Sequence, residues 1–165
     1  MAFTVKRGRA VIVDLEREVE NALSDFYDAA KLAGKTLCQG DITWNISKAP
    51  HTPPTGLPKG KSAVYVFYYN GICLKVGKAG VNSKQRFAYQ HYNPKNAGST
   101  LAKLILSIPD SINAPILTEE NVGGWIKKNT DRVNFLVSDN SDGFLLGFLE
   151  AFLQLRWKPA YEGRG

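Results

Sequence analysis

A chain of 165 residues, 44% hydrophobic and 22% charged, has the length and composition of one globular domain with a real core. It shows no apolar run approaching a membrane span and no secretory leader, so a membrane partner is not expected. Two cysteines, Cys38 and Cys73, lack framework spacing, which argues against a disulfide scaffold and for a reducing, cytoplasmic setting.

The net charge of +6 is unevenly spread. Residues 61–108 carry seven Lys/Arg and no acid, while residues 1–60 sum to +1 and residues 109–165 to −2. A cationic stretch without carboxylates is the footprint expected of a phosphate-backbone partner. The plainer alternative is a solvated basic face.

In chain order, Lys6, Arg7 and Arg9 form a basic arm ahead of an apolar lead-in, residues 10–13. Residues 14–34 read as a helix: Leu15, Val19, Leu23, Phe26, Ala30 and Ala33 recur on one stripe. Asp14 suits the N-cap, Glu16 and Glu18 the positive end, and Gly34 the stop. Residues 36–61 are irregular, although Trp44 and Ile46 suggest a short strand. His51 lies in a proline- and glycine-punctuated loop and reads as an exposed histidine.

Residues 63–69 and 72–76 are rich in β-branched and aromatic residues, with the turn signal Asn70-Gly71 between them. A two-residue loop would pair Tyr65 with Val76. A three-residue loop, Tyr69-Asn70-Gly71, would pair Tyr65 with Lys75. The second is preferred, because it collects Val64, Val66, Tyr68, Ile72, Leu74 and Val76 on one apolar face. It leaves Tyr65, Phe67, Cys73 and Lys75 on the other.

A helix is expected from Asn82, with Gln85 completing a capping box, through Arg86 to Tyr92. Residues 99–108 form a short helix with Leu101, Leu104, Ile105 and Ile108 inward, and Thr118 caps another to about Asn129. Arg132 to Ser138 read as a third strand with Val133, Phe135 and Val137 on one side. The last helix, from Asp142 to Trp157, is apolar all round and should be buried, with Glu150 in its middle. A lone helical Glu is ordinarily a solvated surface residue. Buried, it must be paired, protonated or bound to a cation.

Val64-Tyr65, Lys75-Val76-Gly77, Lys78-Ala79, the helical Arg86 and the later helical Glu150 form an ordered set that resembles the GIY-YIG nuclease superfamily. Ala63 stands for that family's first glycine and Lys75 for its second tyrosine, a swap some restriction-type members share. Pro159-Ala160-Tyr161-Glu162 keeps the spacing of a family tail motif, with Glu162 where the family has asparagine. Some members carry a histidine four residues beyond the arginine. Here that position is Gln90, with His91 next to it.

The resemblance implies an α/β (α+β) domain: a small three-stranded antiparallel sheet flanked by helices, residues 62–165, behind a helical N-terminal extension, residues 1–61. It implies a restriction-type or phage-type endonuclease with Tyr65, Lys75, Arg86 and Glu150 as catalytic residues, Glu150 holding Mg²⁺ or Mn²⁺. In the basic stretch, Lys78, Lys84, His91 and Lys95 are the candidate nucleic-acid contacts. DNA is the expected partner, with RNA an open alternative, and cutting both strands favours a homodimer or successive nicks. An inactive nucleic-acid-binding module on the same fold is the second expectation.

The chemistry makes its own demands. Phosphodiester hydrolysis needs a base for water, charge stabilisation on the phosphoryl oxygens and help for the leaving oxygen. Tyr65 serves as base only if its proton affinity falls, and an adjacent Lys75 ammonium is expected to do that. Arg86 offers a planar fork to the scissile phosphate. Glu162 is open to two readings: a second metal contact or a surface charge.

Overall fold

In the computed structural model, residues 14–138 and 143–162 are described. They form α1 (Leu15–Leu32), β1 (Ile42–Ser47), β2 (Lys61–Tyr69), β3 (Ile72–Ala79), α2 (Lys84–Ala88), α3 (Leu101–Ser107), α4 (Val122–Asn129), β4 (Asp131–Ser138) and α5 (Gly143–Trp157). The sheet is antiparallel throughout, in the order β1-β4-β2-β3. The expected three-stranded sheet is therefore corrected to four. Trp44 and Ile46 lie on a strand that pairs with β4 from Ile42 opposite Val137 to Ser47 opposite Arg132.

Helices cover both faces of the sheet, which is why β2, flanked by β4 and β3, is buried on both sides. On one face lie α1 and α5. Asp14 caps α1 by accepting the Arg17 N–H at 3.1 Å, and Val19, Ala22 and Phe26 pack with Leu149, Leu153 and Trp157. Arg156 of α5 clasps Glu18 and Asp25 of α1 at 2.8 and 2.6 Å. On the other face, α2, α3, α4 and the 3₁₀ turn Gln90–Tyr92 pack over Tyr65, Phe67 and Leu74. No helix among the described residues is long and apolar enough to cross a membrane. The basic arm, residues 10–13 and the expected cap Asp142 lie outside the described residues.

Neither expected hairpin register runs the length of the hairpin. Asn70 and Gly71 both take positive φ, 49° and 73°, and form a two-residue turn, so Tyr69 faces Ile72 and Tyr68 faces Cys73. A bulge then leaves Leu74 extra, so Phe67 faces Lys75 and Tyr65 faces Gly77. The bulge lets Cys73 and Val76 both serve the α1–α5 core while Leu74 is buried in the opposite one. Cys73 and Leu74 have thus exchanged the faces expected of them, whereas Tyr65, Phe67 and Lys75 do share a face. β3 is an edge strand, and the tail covers its bulged stretch: Ala160 N–H donates to Cys73 O at 2.9 Å and Tyr161 N–H to Leu74 O at 2.8 Å.

Three further expectations are corrected. α2 starts at Lys84 after Ser83, without a side-chain cap, and ends at Ala88. Ile108 lies beyond α3 and is 49% exposed. α5 is not apolar all round in its contacts: it buries Leu145, Leu146, Leu149, Leu153 and Trp157 and leaves Phe144 and Leu155 to solvent.

Candidate active site

Tyr65 stands near the middle of β2, fully buried, and its ring lies across Gly77 of β3. A Cβ on Gly77 would sit 2.6 Å from the phenol oxygen, so only glycine admits the ring there. The oxygen accepts two hydrogen bonds, one from His91 Nε2 at 2.6 Å and one from Arg86 Nε at 3.4 Å. His91 Nδ1 accepts the Leu101 N–H at 3.2 Å, which assigns the ring proton to Nε2 and makes His91 a donor to Tyr65. Burial, reinforced by the charges of Lys75, Arg132 and Arg86, pushes His91 down to about 3, so the imidazole is neutral.

His91 reaches Tyr65 because the helix changes pitch. An α-helix continued through Tyr92 would have offered position 90 instead, since each residue turns the side chain by about 100°. α2 ends at Ala88, Tyr89 breaks it at φ −124° and ψ −31°, and the tighter 3₁₀ turn re-phases His91.

The phenol itself is held above its ordinary range. Burial is the largest influence; the Arg86 hydrogen bond and the Arg86 and Arg132 charges act downward, and Glu150 upward. The expected Lys75–Tyr65 pairing is not formed. Lys75 faces Phe67, its ammonium points to the Tyr161 carbonyl at 3.5 Å, and burial lowers its own proton affinity. The cations that favour a Tyr65 phenolate are Arg86 and Arg132.

Glu150 lies on the flank of α5, not deep in an apolar rod. Its side chain is 17% exposed and bonds Lys78 Nζ at 2.7 Å. Its charge is felt at Tyr65, Lys75, Arg86 and Glu162, so the four residues singled out as catalytic share one electrostatic neighbourhood at the β3 edge. No described hydrogen bond joins Glu150 to Tyr65 or Arg86. Both carboxylate oxygens of Glu162 are engaged. One oxygen accepts the Val76 N–H at 3.2 Å and the other the Gln154 amide at 2.9 Å, which latches the tail to β3 and α5. Burial pushes its carboxyl up. Among the described residues, no three His, Cys, Asp or Glu side chains cluster as a metal site.

Of the candidate nucleic-acid contacts, Lys78, Lys84 and Lys95 are at the surface. Lys78 is engaged by Glu150, Lys95 lies 3.9 Å from Glu119, and the stem of Lys84 lies beside Gly56. His91 is buried and turned to Tyr65, so it is not a surface contact.

Two residues escaped the sequence reading. His51 is 7% exposed, not a solvent-facing loop residue: its Nδ1 donates to Thr130 O at 2.7 Å and its Nε2 accepts from Tyr92 O–H at 2.8 Å. Arg132 is fully buried beneath Tyr65. The available signal was alternation, which puts Arg132 and Asn134 on the face of β4 opposite Val133, Phe135 and Val137. No protein-family model matches the chain, and neither a curated protein nor a solved structure matches it.

Proposed function

We propose that the chain is a metal-dependent DNA endonuclease of the GIY-YIG type. The observation that supports this most is the Tyr65 phenol receiving two N–H donors, His91 and Arg86, within the field of Glu150 and in the acid-free basic stretch. Two donors to one phenol oxygen favour the phenolate and so oppose the burial that raises it, and it is as the phenolate that Tyr65 would take a proton from an attacking water. Arg86 spends its Nε on Tyr65, and its terminal NH₂ groups suit a scissile phosphate. Lys84 and Lys78 supply flanking cationic contacts.

Glu150 offers Mg²⁺ or Mn²⁺ a hard oxygen donor of the right kind, and its neighbour Lys78 must give way to such an ion. Bound there, the ion would supply charge stabilisation to the leaving oxygen. One protein carboxylate makes a sparse site, so binding should be weak. Duplex cutting calls for a homodimer or two successive nicks.

A second reading, a nucleic-acid-binding module without cleavage, is favoured by the closed Lys78–Glu150 pair and by the burial that raises Tyr65. A supercoiled plasmid incubated with Mg²⁺ or Mn²⁺ separates the two. Cutting is expected, and Glu150→Ala should reduce it by about a hundredfold or more, as loss of a contact made in the transition state does. Full activity in Glu150→Ala would dismiss the proposal. Salt-dependent retention of DNA without cutting would install the binding module instead.

A further inference from the structure

We infer that Arg132 is the positioning residue of the Tyr65 site: one buried guanidinium ties the helix bearing Arg86 and the turn bearing His91 to the sheet, and places a fixed positive charge behind the phenol ring. This rests on Tyr65 being the reacting phenol.

The geometry is complete at each arm of the fork. NH2 donates to the carbonyl of Phe87, the residue after Arg86, at 2.6 Å. NH1 donates to the hydroxyl of Tyr92, the residue after His91, at 3.1 Å. Nε donates to Asn134 Oδ1 on β4 at 2.8 Å, and Asn134 in turn donates to Asn45 on β1 at 3.0 Å. The Tyr92 hydroxyl is oriented from behind: His51 gives its Nδ1 proton to Thr130 O, so its Nε2 must accept from Tyr92, which leaves the Tyr92 lone pairs to Arg132. The guanidinium carbon lies 4.7 Å from the Phe87 ring centre, 5.2 Å from Phe67 and 5.4 Å from Tyr65.

No carboxylate among the described residues pairs with Arg132, and every acceptor it uses is uncharged. A buried cation without a counter-ion is costly, and aromatic faces compensate only in part. A packing role alone would be met by an apolar side chain of similar volume. What arginine adds is a charge that persists when desolvated, where a lysine would release its proton, and three donor directions fixed in one plane. The groups facing Tyr65 are Arg86 from α2, His91 from the 3₁₀ turn, Arg132 from β4 and the opposing charge of Glu150 on α5. Lys75 of β3 acts through His91. Arg132 alone among them touches the elements that hold two of the others.

The test needs neither DNA nor metal. Tyr65 is replaced in the full chain by a fluorinated tyrosine whose phenol ionises nearer neutral pH, and the phenolate is followed against pH by fluorine resonance. Arg132→Met should raise the midpoint by at least about one pH unit, a tenfold weaker acid. Tyr92→Phe keeps the charge, cuts the tether to the His91 turn, and should raise it less. An unchanged midpoint in folded Arg132→Met overturns the inference. If that variant does not fold, an unchanged midpoint in Tyr92→Phe does so. A chain that never cuts DNA can still show the shift, and a nuclease without the shift retires only the role of Arg132.

Discussion

At Gly77 the requirement for glycine is one of space. The missing side chain is the floor on which the Tyr65 ring rests, and a methyl there would lie 2.6 to 2.8 Å from the phenol oxygen and two ring carbons. The ring cannot lift without breaking its bonds to His91 and Arg86. Gly77→Ala should therefore cost about 1–3 kcal/mol of stability, as overpacking does, read as a lower urea midpoint. Any cutting should fall with it, because the phenol loses its donors. Wild-type stability in Gly77→Ala would mean the ring has room the structure does not give it. This residue was legible only as one letter of a motif. Tyr65, Arg86 and Glu150 were legible as types and order, but Arg132 was not, since an arginine opening a strand looks like any edge residue. On a regular helix His91 stands one position away from the Tyr65 side, and the three-residue change of pitch that places it has no marker in the sequence.

Among the elements, α4 shows how closely the His91 turn is held. Its first turn carries Gly123 and Gly124. A Cβ on Gly123 would run into the carbonyl oxygen of Tyr92, whereas one on Gly124 would meet nothing within 4 Å. Alanine in place of a helical glycine gains up to about 1 kcal/mol of helix propensity, but a clash with backbone costs more, about 1–3 kcal/mol. Gly124→Ala should therefore stabilise the protein and Gly123→Ala destabilise it, a difference of sign that thermal unfolding reads directly. The same sign for both would show that α4 does not press on the turn. The elements themselves were largely legible where periodicity or a cap dictated them: α1 with Asp14, the strands β2, β3 and β4, and the Asn70-Gly71 turn. β1 was seen as a fragment, because Trp44 and Ile46 find their partners on β4, far along the chain. The bulge at Leu74 was invisible, since it arises from a two-residue turn and two opposed cores imposing different registers on one strand. Composition predicts α5 wholly buried, because it reports how apolar a helix is and not which side meets a neighbour.

For the whole molecule, the buried polar layer between sheet and helices makes stability depend on pH, and the sign follows from its histidines. The chain has two, His51 and His91, and both are buried and lowered from their ordinary value, His91 to about 3. Burial is the first cause in each. Unfolded, both take a proton near pH 6.5; folded, each takes it only at lower pH, His91 at about 3. Their contribution is thus complete well above pH 6.5 and is lost as pH falls through it, by up to about 1.4 kcal/mol per pH unit for each imidazole. Glu162, raised by burial, acts in the opposite sense, but as one carboxyl at the acid end of the window it cannot offset two histidines. Tyr65, Tyr68 and Tyr92, all raised by burial first, close the alkaline side as unfolded phenols ionise above about pH 10. Between pH 8 and 5 His91 alone should cost the chain about 2 kcal/mol, and His51 adds to it in the same direction, a sizeable share of the roughly 5–15 kcal/mol typical of a folded domain. Urea midpoints at pH 8, 6.5 and 5 measure it: the second should lie slightly below the first and the third should drop well below both. His91→Gln should be less stable at pH 8 yet show a shallower decline below 6.5, because one of the two protons is gone. A flat wild-type profile down to pH 5 would require both imidazoles, His91 included, to be charged or solvated in the fold, and the donor geometry at Tyr65 would have to be redrawn with it.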